Sequence, residues 1–187
     1  MLDKTSLLYN RAFAPNPAGD GRIFERGREV NQLGVNYRAS PIVVDDFLPK
    51  DSEGIAVDPY GKGVEVGPIR AGDRAPDSPG LVSSSGTKSL FDVFGATSHT
   101  ILVFGSALLV DGLIGKYSAK LFSTVVILLK GNMANTMDVF VDSEGHAFKA
   151  YNPEGGDRIV VVRPDGYVGA ITRDVHGLEI YLNSIFL

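Results

Sequence analysis

Cysteine is absent from all 187 residues, which excludes disulfides, thiolate nucleophiles, thiol–disulfide exchange and thiolate metal sites. Tryptophan is absent too, so aromatic burial falls to 10 phenylalanines and 7 tyrosines. The 3 histidines, His99, His146 and His176, lie far apart in sequence and make a poor metal set, so no metal is expected. There is no basic surplus: 18 Lys and Arg stand against 22 Asp and Glu, for a net charge of −4. Nucleic acid is therefore not an expected partner, because nothing would neutralise its phosphates. No long hydrophobic run occurs either. The longest, Thr100 to Val110, falls far short of the roughly 20 residues a membrane-spanning helix requires, so no membrane partner is expected. Met1 to Asn10 lacks the basic start and apolar stretch of a signal peptide, and the expected location is cytoplasmic.

What is present suits one globular core: 44% of residues are hydrophobic and 21% charged. Ala14 to Gly21 is turn-rich, and Ile23 to Val30 reads as a helical stretch. Val35 to Asp45 alternates like a strand interrupted at Pro41. Residues 1–45 are accordingly assigned to an N-terminal extension and linker, and residues 46–187 to the domain proper. Between Lys50 and Lys88 glycine and proline are too dense for a helix, which predicts ordered loops with short edge strands.

The periodicity sharpens after Lys88. Ser89 to Phe94 suits one helical turn, and Thr100 to Phe104 a strand buried on both faces. Leu113 to Phe122 fits an amphipathic helix, Thr124 to Leu129 a second buried strand, and Met137 to Val141 a short further element. Ile159 to Arg163 and Tyr167 to Thr172 flank Pro164-Asp165-Gly166 as a hairpin, and Leu178 to Phe186 closes the chain as a helix. The order β-α-β, connection, β-β-α predicts an α/β thioredoxin-like fold, a central mixed sheet flanked by helices.

Three segments carry a resemblance. Gly72-Asp73-Arg74-Ala75-Pro76-Asp77, followed by Ser89 to Phe94 and Thr100 to Phe104, is similar to the start of the C-terminal domain of phenol-hydroxylase-type FAD-dependent aromatic monooxygenases. Val160 to Tyr167 resembles the hairpin of those domains, and Phe24 to Tyr37 the end of their flavin domain. The resemblance implies a dimerisation or docking module in aromatic or polyketide metabolism, a homodimer or the partner of a flavoprotein hydroxylase. No Gly-x-Gly-x-x-Gly fingerprint is present, so no cofactor is expected. Gly105-Ser106-Ala107-Leu108 stands where a thioredoxin places Cys-x-x-Cys.

The alternative is a stand-alone, cofactor-free enzyme of isomerase, cyclase, dehydratase or hydrolase type, acting on a small aromatic ligand or polyketide intermediate by acid–base catalysis. Its site would form where Gly105 to Asp111 and the loop Asp142 to Pro153 leave the sheet. His146, flanked by Asp142 and Glu144, is then the acid–base candidate, since imidazole titrates near neutral pH, with Tyr151 and Ser106 positioning substrate and His99 as the alternative base. An exposed or hydrogen-bonded structural role is the plainer reading of each histidine. Asp73 and Arg74 suit either a carboxylate clamp or, more simply, a pair pinning their loop, and Arg163 with Asp165 suits a hairpin turn. Gly61-Lys62-Gly63 lacks the strand, spacing and hydroxyl of a P-loop.

Overall fold

The computed structural model describes residues 35–47, 69–105, 110–118, 120–130 and 138–186. The expectations for 1–34, 61–63 and Ser106 lie outside these residues. Among the described residues eight strands form one sheet: β1 (Val44–Asp45), β2 (Leu81–Ser83), β3 (Gly86–Lys88), β4 (His99–Phe104), β5 (Phe122–Leu128), β6 (Asp138–Asp142), β7 (Arg158–Val162) and β8 (Val168–Thr172), in the order β1-β8-β7-β4-β5-β6-β2-β3. Three helices accompany them: α1 (Val110–Ile114), α2 (His146–Tyr151) and α3 (Val175–Phe186).

At the centre, β4 and β5 are parallel, β7 runs antiparallel to β4, and β8 antiparallel to β7. This arrangement of a parallel pair and an antiparallel hairpin is the thioredoxin core, and the chain has a thioredoxin-like fold. A further parallel strand, β6, extends it beyond β5, and the β2–β3 hairpin completes that edge.

Strand periodicity explains why the centre is apolar throughout. Along β4, Leu102 and Phe104 face a core shared with Val125, Val160 and Tyr151, while Ile101 and Val103 face one shared with Val110, Ile159, Leu178 and Tyr181. The first face is covered by α2 and the segments 69–80 and 89–94, the second by α1 and α3. Gly169 is skipped in the pairing of β8 with β7, so this bulge puts neighbouring Ala170 on the second face and Ile171 on the first.

Several local expectations change. Of Val35 to Asp45 only Val44–Asp45 is strand; the rest turns, held by Tyr37 N–H donating to the Gly72 carbonyl at 2.7 Å. The predicted helix Leu113 to Phe122 is instead α1, placed earlier and ending before Gly115, and Phe122 already begins β5. The stretch Asp142 to Pro153 is not a plain loop but contains α2. Asp142 directs it: the buried carboxylate accepts from the amides of His146 at 3.0 Å and Phe148 at 2.9 Å, satisfying donors at the helix start.

Candidate functional site

Because β4, β5 and β6 are parallel, their C-terminal ends share one edge, from which the chain leaves at Gly105 and at Asp142. The ends of β1 and β8 and the start of β7 reach the same edge. There a cavity of about 150 Å³ is lined by Val103 and Phe104 of β4, Val110 of α1, Asp157, Arg158 and Ile159, and Arg173, Asp174 and Val175 at the start of α3. Gly105, at φ +90°, brings the backbone against Asp157, whose Oδ1 lies only 2.1 Å from where a Cβ would stand. Asp174 accepts from the Gly177 amide at 3.0 Å and so caps α3.

Of the candidate catalytic residues, the three that the structure describes, His99, His146 and Tyr151, do not line this cavity. His146, half-exposed, pairs through Nε2 with Glu144 Oε2 at 2.9 Å, beyond the end of β6. Tyr151 is fully buried, its ring stacked on Phe104, and its hydroxyl donates to the Pro76 carbonyl. Burial, reinforced by the charge of Asp77, pushes the phenol far above its ordinary range. Its proton is committed to the backbone, so the expected placement of Tyr151 as a substrate donor is corrected to a core residue. His99 starts β4 while His146 follows the end of parallel β6; six residues of strand put them at opposite edges, about 17 Å apart along the strand axis. They cannot serve one reacting atom.

At that far edge His99 sits among aromatic rings, 5.4 Å from Phe186, 5.9 Å from Phe122 and 6.2 Å from Tyr181. Burial, then the charge of Arg163, lowers its pKa, with Asp165 opposing. Since the unfolded chain binds this proton more readily, stability is present above about pH 6.5 and is lost as pH falls toward the folded value. Thermal melts of the wild type and His99→Gln at about pH 5 and 7.5 test this: the acid-side loss should be smaller in the variant. Equal losses would remove His99 as a source of it. The neighbouring Tyr181 phenol is pushed up to about 12 by burial, and so stays protonated at neutral pH.

Sequence reasoning named Asp73 as pinning its loop but not Arg38, the partner through which it holds the linker. Asp73 accepts from Arg38 Nε at 2.6 Å and from its second nitrogen at 3.0 Å, a two-point pair that fastens the linker to its loop. Arg74 lies over the Tyr167 ring, and Arg163 pairs with Asp165 at the hairpin turn. Phe47 is stacked by two guanidinium groups, Arg158 at 3.8 Å and Arg173 at 4.5 Å from its centroid. Apart from the pair of Arg163 with Asp165, no spacing marks these contacts, which join residues far apart in the chain.

Among the described residues no cluster of three or more His, Cys, Asp or Glu could hold a metal, and no helix is long and apolar enough to cross a membrane.

No protein-family model matches the chain. A flavin-dependent monooxygenase of Mycobacteroides abscessus is 28% identical over 187 residues, covering 99% of this chain. The chain resembles a C-terminal domain of flavin-dependent monooxygenases. It spans 28% of the length of that curated relative. The crystal structure of the flavin-dependent monooxygenase PieE, in complex with FAD and substrate, superposes with a TM-score of 0.54 at 20% identity, covering 97% of this chain and 31% of that one. The thioredoxin domain of a thiol-disulfide oxidoreductase from Bacteroides vulgatus gives a TM-score of 0.48 at 15% identity over 64% of this chain and 99% of that one.

FAD does not fit this cavity. A cavity near 150 Å³ is about one benzene ring in size, well below the roughly 300–1,000 Å³ of ordinary cofactor pockets. No phosphate-cradling glycine fingerprint accompanies it.

Proposed function

We propose that this chain is a non-redox, thioredoxin-like association module of a flavin-dependent monooxygenase system acting on aromatic or polyketide compounds, working as a homodimer or docked on the flavin-binding body. The observation that carries the reading is the alignment of 99% of the chain with only 28% of a flavin-dependent monooxygenase. The absence of cysteine supports it, because the fold is kept without the residue that gives thioredoxins their chemistry. Among the described residues, the burial of Tyr151 and the position of both His146 and its alternative His99 away from the cavity lend the cofactor-free enzyme no geometric support. In this proposal residues 46–187 act as the module and the location is cytoplasmic.

Light scattering on the purified 20.0 kDa chain at tens of micromolar is expected to give twice the monomer mass. Where it gives a monomer, binding to a flavoprotein hydroxylase lacking its own C-terminal domain is the remaining arm. A monomer that also leaves the hydroxylase unbound would refute the association role.

A further inference from the structure

We propose that Arg74, with the exposed ring of Tyr37 beside it, is a docking surface for an acidic protein segment, one that carries a carboxylate next to an apolar side chain. The inference stands apart from the association reading, since it rests on these side chains alone. They lie where β8 begins, at the opposite edge of the sheet from the cavity. The fold divides the sequence pair Asp73 and Arg74. Asp73 turns to Arg38, with contacts at 2.6 and 3.0 Å, and Arg163 takes Asp165, so both of these carboxylates are spent on other arginines. Among the described residues no carboxylate pairs with Arg74, which is exposed.

Arg74 is nonetheless fixed in place. Its backbone bridges to Tyr167, the Asp73 carbonyl accepts from the Val168 amide at 2.8 Å, and the Ala75 amide donates to the Gly166 carbonyl at 2.9 Å. Its guanidinium lies 5.5 Å over the Tyr167 ring. A guanidinium held by a ring keeps its N–H edge for a carboxylate, which it meets at two points, and little side-chain freedom is left to lose on binding. Tyr167 is buried, but Tyr37, edge-on to it at 4.7 Å and with Arg163 at 5.3 Å, is 41% exposed. Tyrosine and arginine are the side chains in which interface energy concentrates. In an extended segment, side chains i and i+2 lie on one face about 7 Å apart, which suits a carboxylate on Arg74 and an apolar group on Tyr37. Both residues are exposed, so a small acid would bury little here, whereas a chain engages both. The excess of acid over base in the whole chain, 22 against 18, disfavours a phosphate backbone as the occupant.

Amide chemical-shift titration of the full chain with the blocked pentapeptide Glu-Glu-Phe-Glu-Glu tests this. The peptide should bind with a dissociation constant on the order of 1 mM, its shifts centred on Tyr37, Arg74, Gly166 and Tyr167. Gln-Gln-Phe-Gln-Gln, acetate and a short oligothymidylate should each bind at least about tenfold more weakly. Arg74→Gln should weaken the acidic peptide at least about tenfold, and Arg74→Lys at least about threefold, because an ammonium lacks the fork. Tyr37→Ser should cost about threefold, while Lys88→Gln, on β3 at the far side of the sheet, binds as the wild type does. Circular dichroism checks that each variant is folded, and should Arg74→Gln not fold, Arg74→Lys carries the test. No localised shift at about 5 mM peptide, equal binding of the glutamine peptide, acetate or the oligothymidylate, or unchanged binding by a folded Arg74 or Tyr37 variant would overturn the assignment.

Discussion

Gly72→Ala should lose roughly 3 kcal/mol of stability and melt about 6–12 °C below the wild type. Gly72 holds φ at +96°, a conformation that costs an L residue about 1–3 kcal/mol by itself. Space makes the substitution worse, since an added Cβ would stand 2.4 Å from the Arg38 nitrogen and 2.5 Å from the Tyr37 carbonyl carbon. Those are backbone atoms and cannot rotate away. The linker must move, and with it the 2.7 Å bond from the Tyr37 amide to the Gly72 carbonyl and the Arg38–Asp73 pair. The Gly72 amide also donates to the Val168 carbonyl at 2.7 Å, so the glycine is held between linker and β8. Gly86→Ala separates the two causes. Gly86 has φ +118° but open space around it, so it should show only the smaller conformational loss. A Gly72→Ala melt no lower than that of Gly86→Ala would mean that the linker does not press on Gly72.

Arg158→Met should cost about 2 kcal/mol, and Arg158→Lys should not restore it. Arg158 is only 4% exposed; it donates to the Tyr151 carbonyl at 2.9 Å and covers Phe47 at 3.8 Å. Its ion pair with Glu154 at 3.3 Å contributes little, because that glutamate is 74% exposed. The loss comes from the stranded Tyr151 carbonyl, about 1–3 kcal/mol, and from the desolvated cation–π contact, about 2 kcal/mol. It is offset by removing a buried Nε that lacks a partner among the described residues. Lysine keeps the charge but not the plane that stacks on the ring and reaches the carbonyl together. In a double-mutant cycle with Phe47→Leu the coupling should reach at least about 0.5 kcal/mol. Strictly additive losses would show that the stacking contributes nothing.

Both residues show where sequence reasoning stops. The runs Thr100 to Phe104, Thr124 to Leu129 and Val160 to Val162 are continuous apolar stretches rich in β-branched residues, and only a strand covered on both faces uses such a run. They become β4, β5 and β7, and with the Pro164-Asp165-Gly166 turn they make the thioredoxin order readable before any coordinates. Helix bounds were less legible. The start of α3 is signalled by Asp174, whose carboxylate caps Gly177, but the apolar spacing becomes regular only at Leu178. The start of α2 depends on Asp142, which lies at the end of the preceding strand and is separated from the helix by a turn.

The sequence by itself determined the chemistry that is excluded, through the missing cysteine, and the fold class, through the period and order of its apolar runs. Both are properties of composition and of neighbours along the chain. The tertiary structure alone decided that His99 and His146 lie at opposite edges, that Tyr151 serves the core, and that Arg158 and Arg173 both meet the Phe47 ring. It alone brought Val103, Val110, Ile159 and Val175 around one cavity. These are relations between residues distant in sequence, set by strand direction and by which face each side chain takes, and no local spacing carries them.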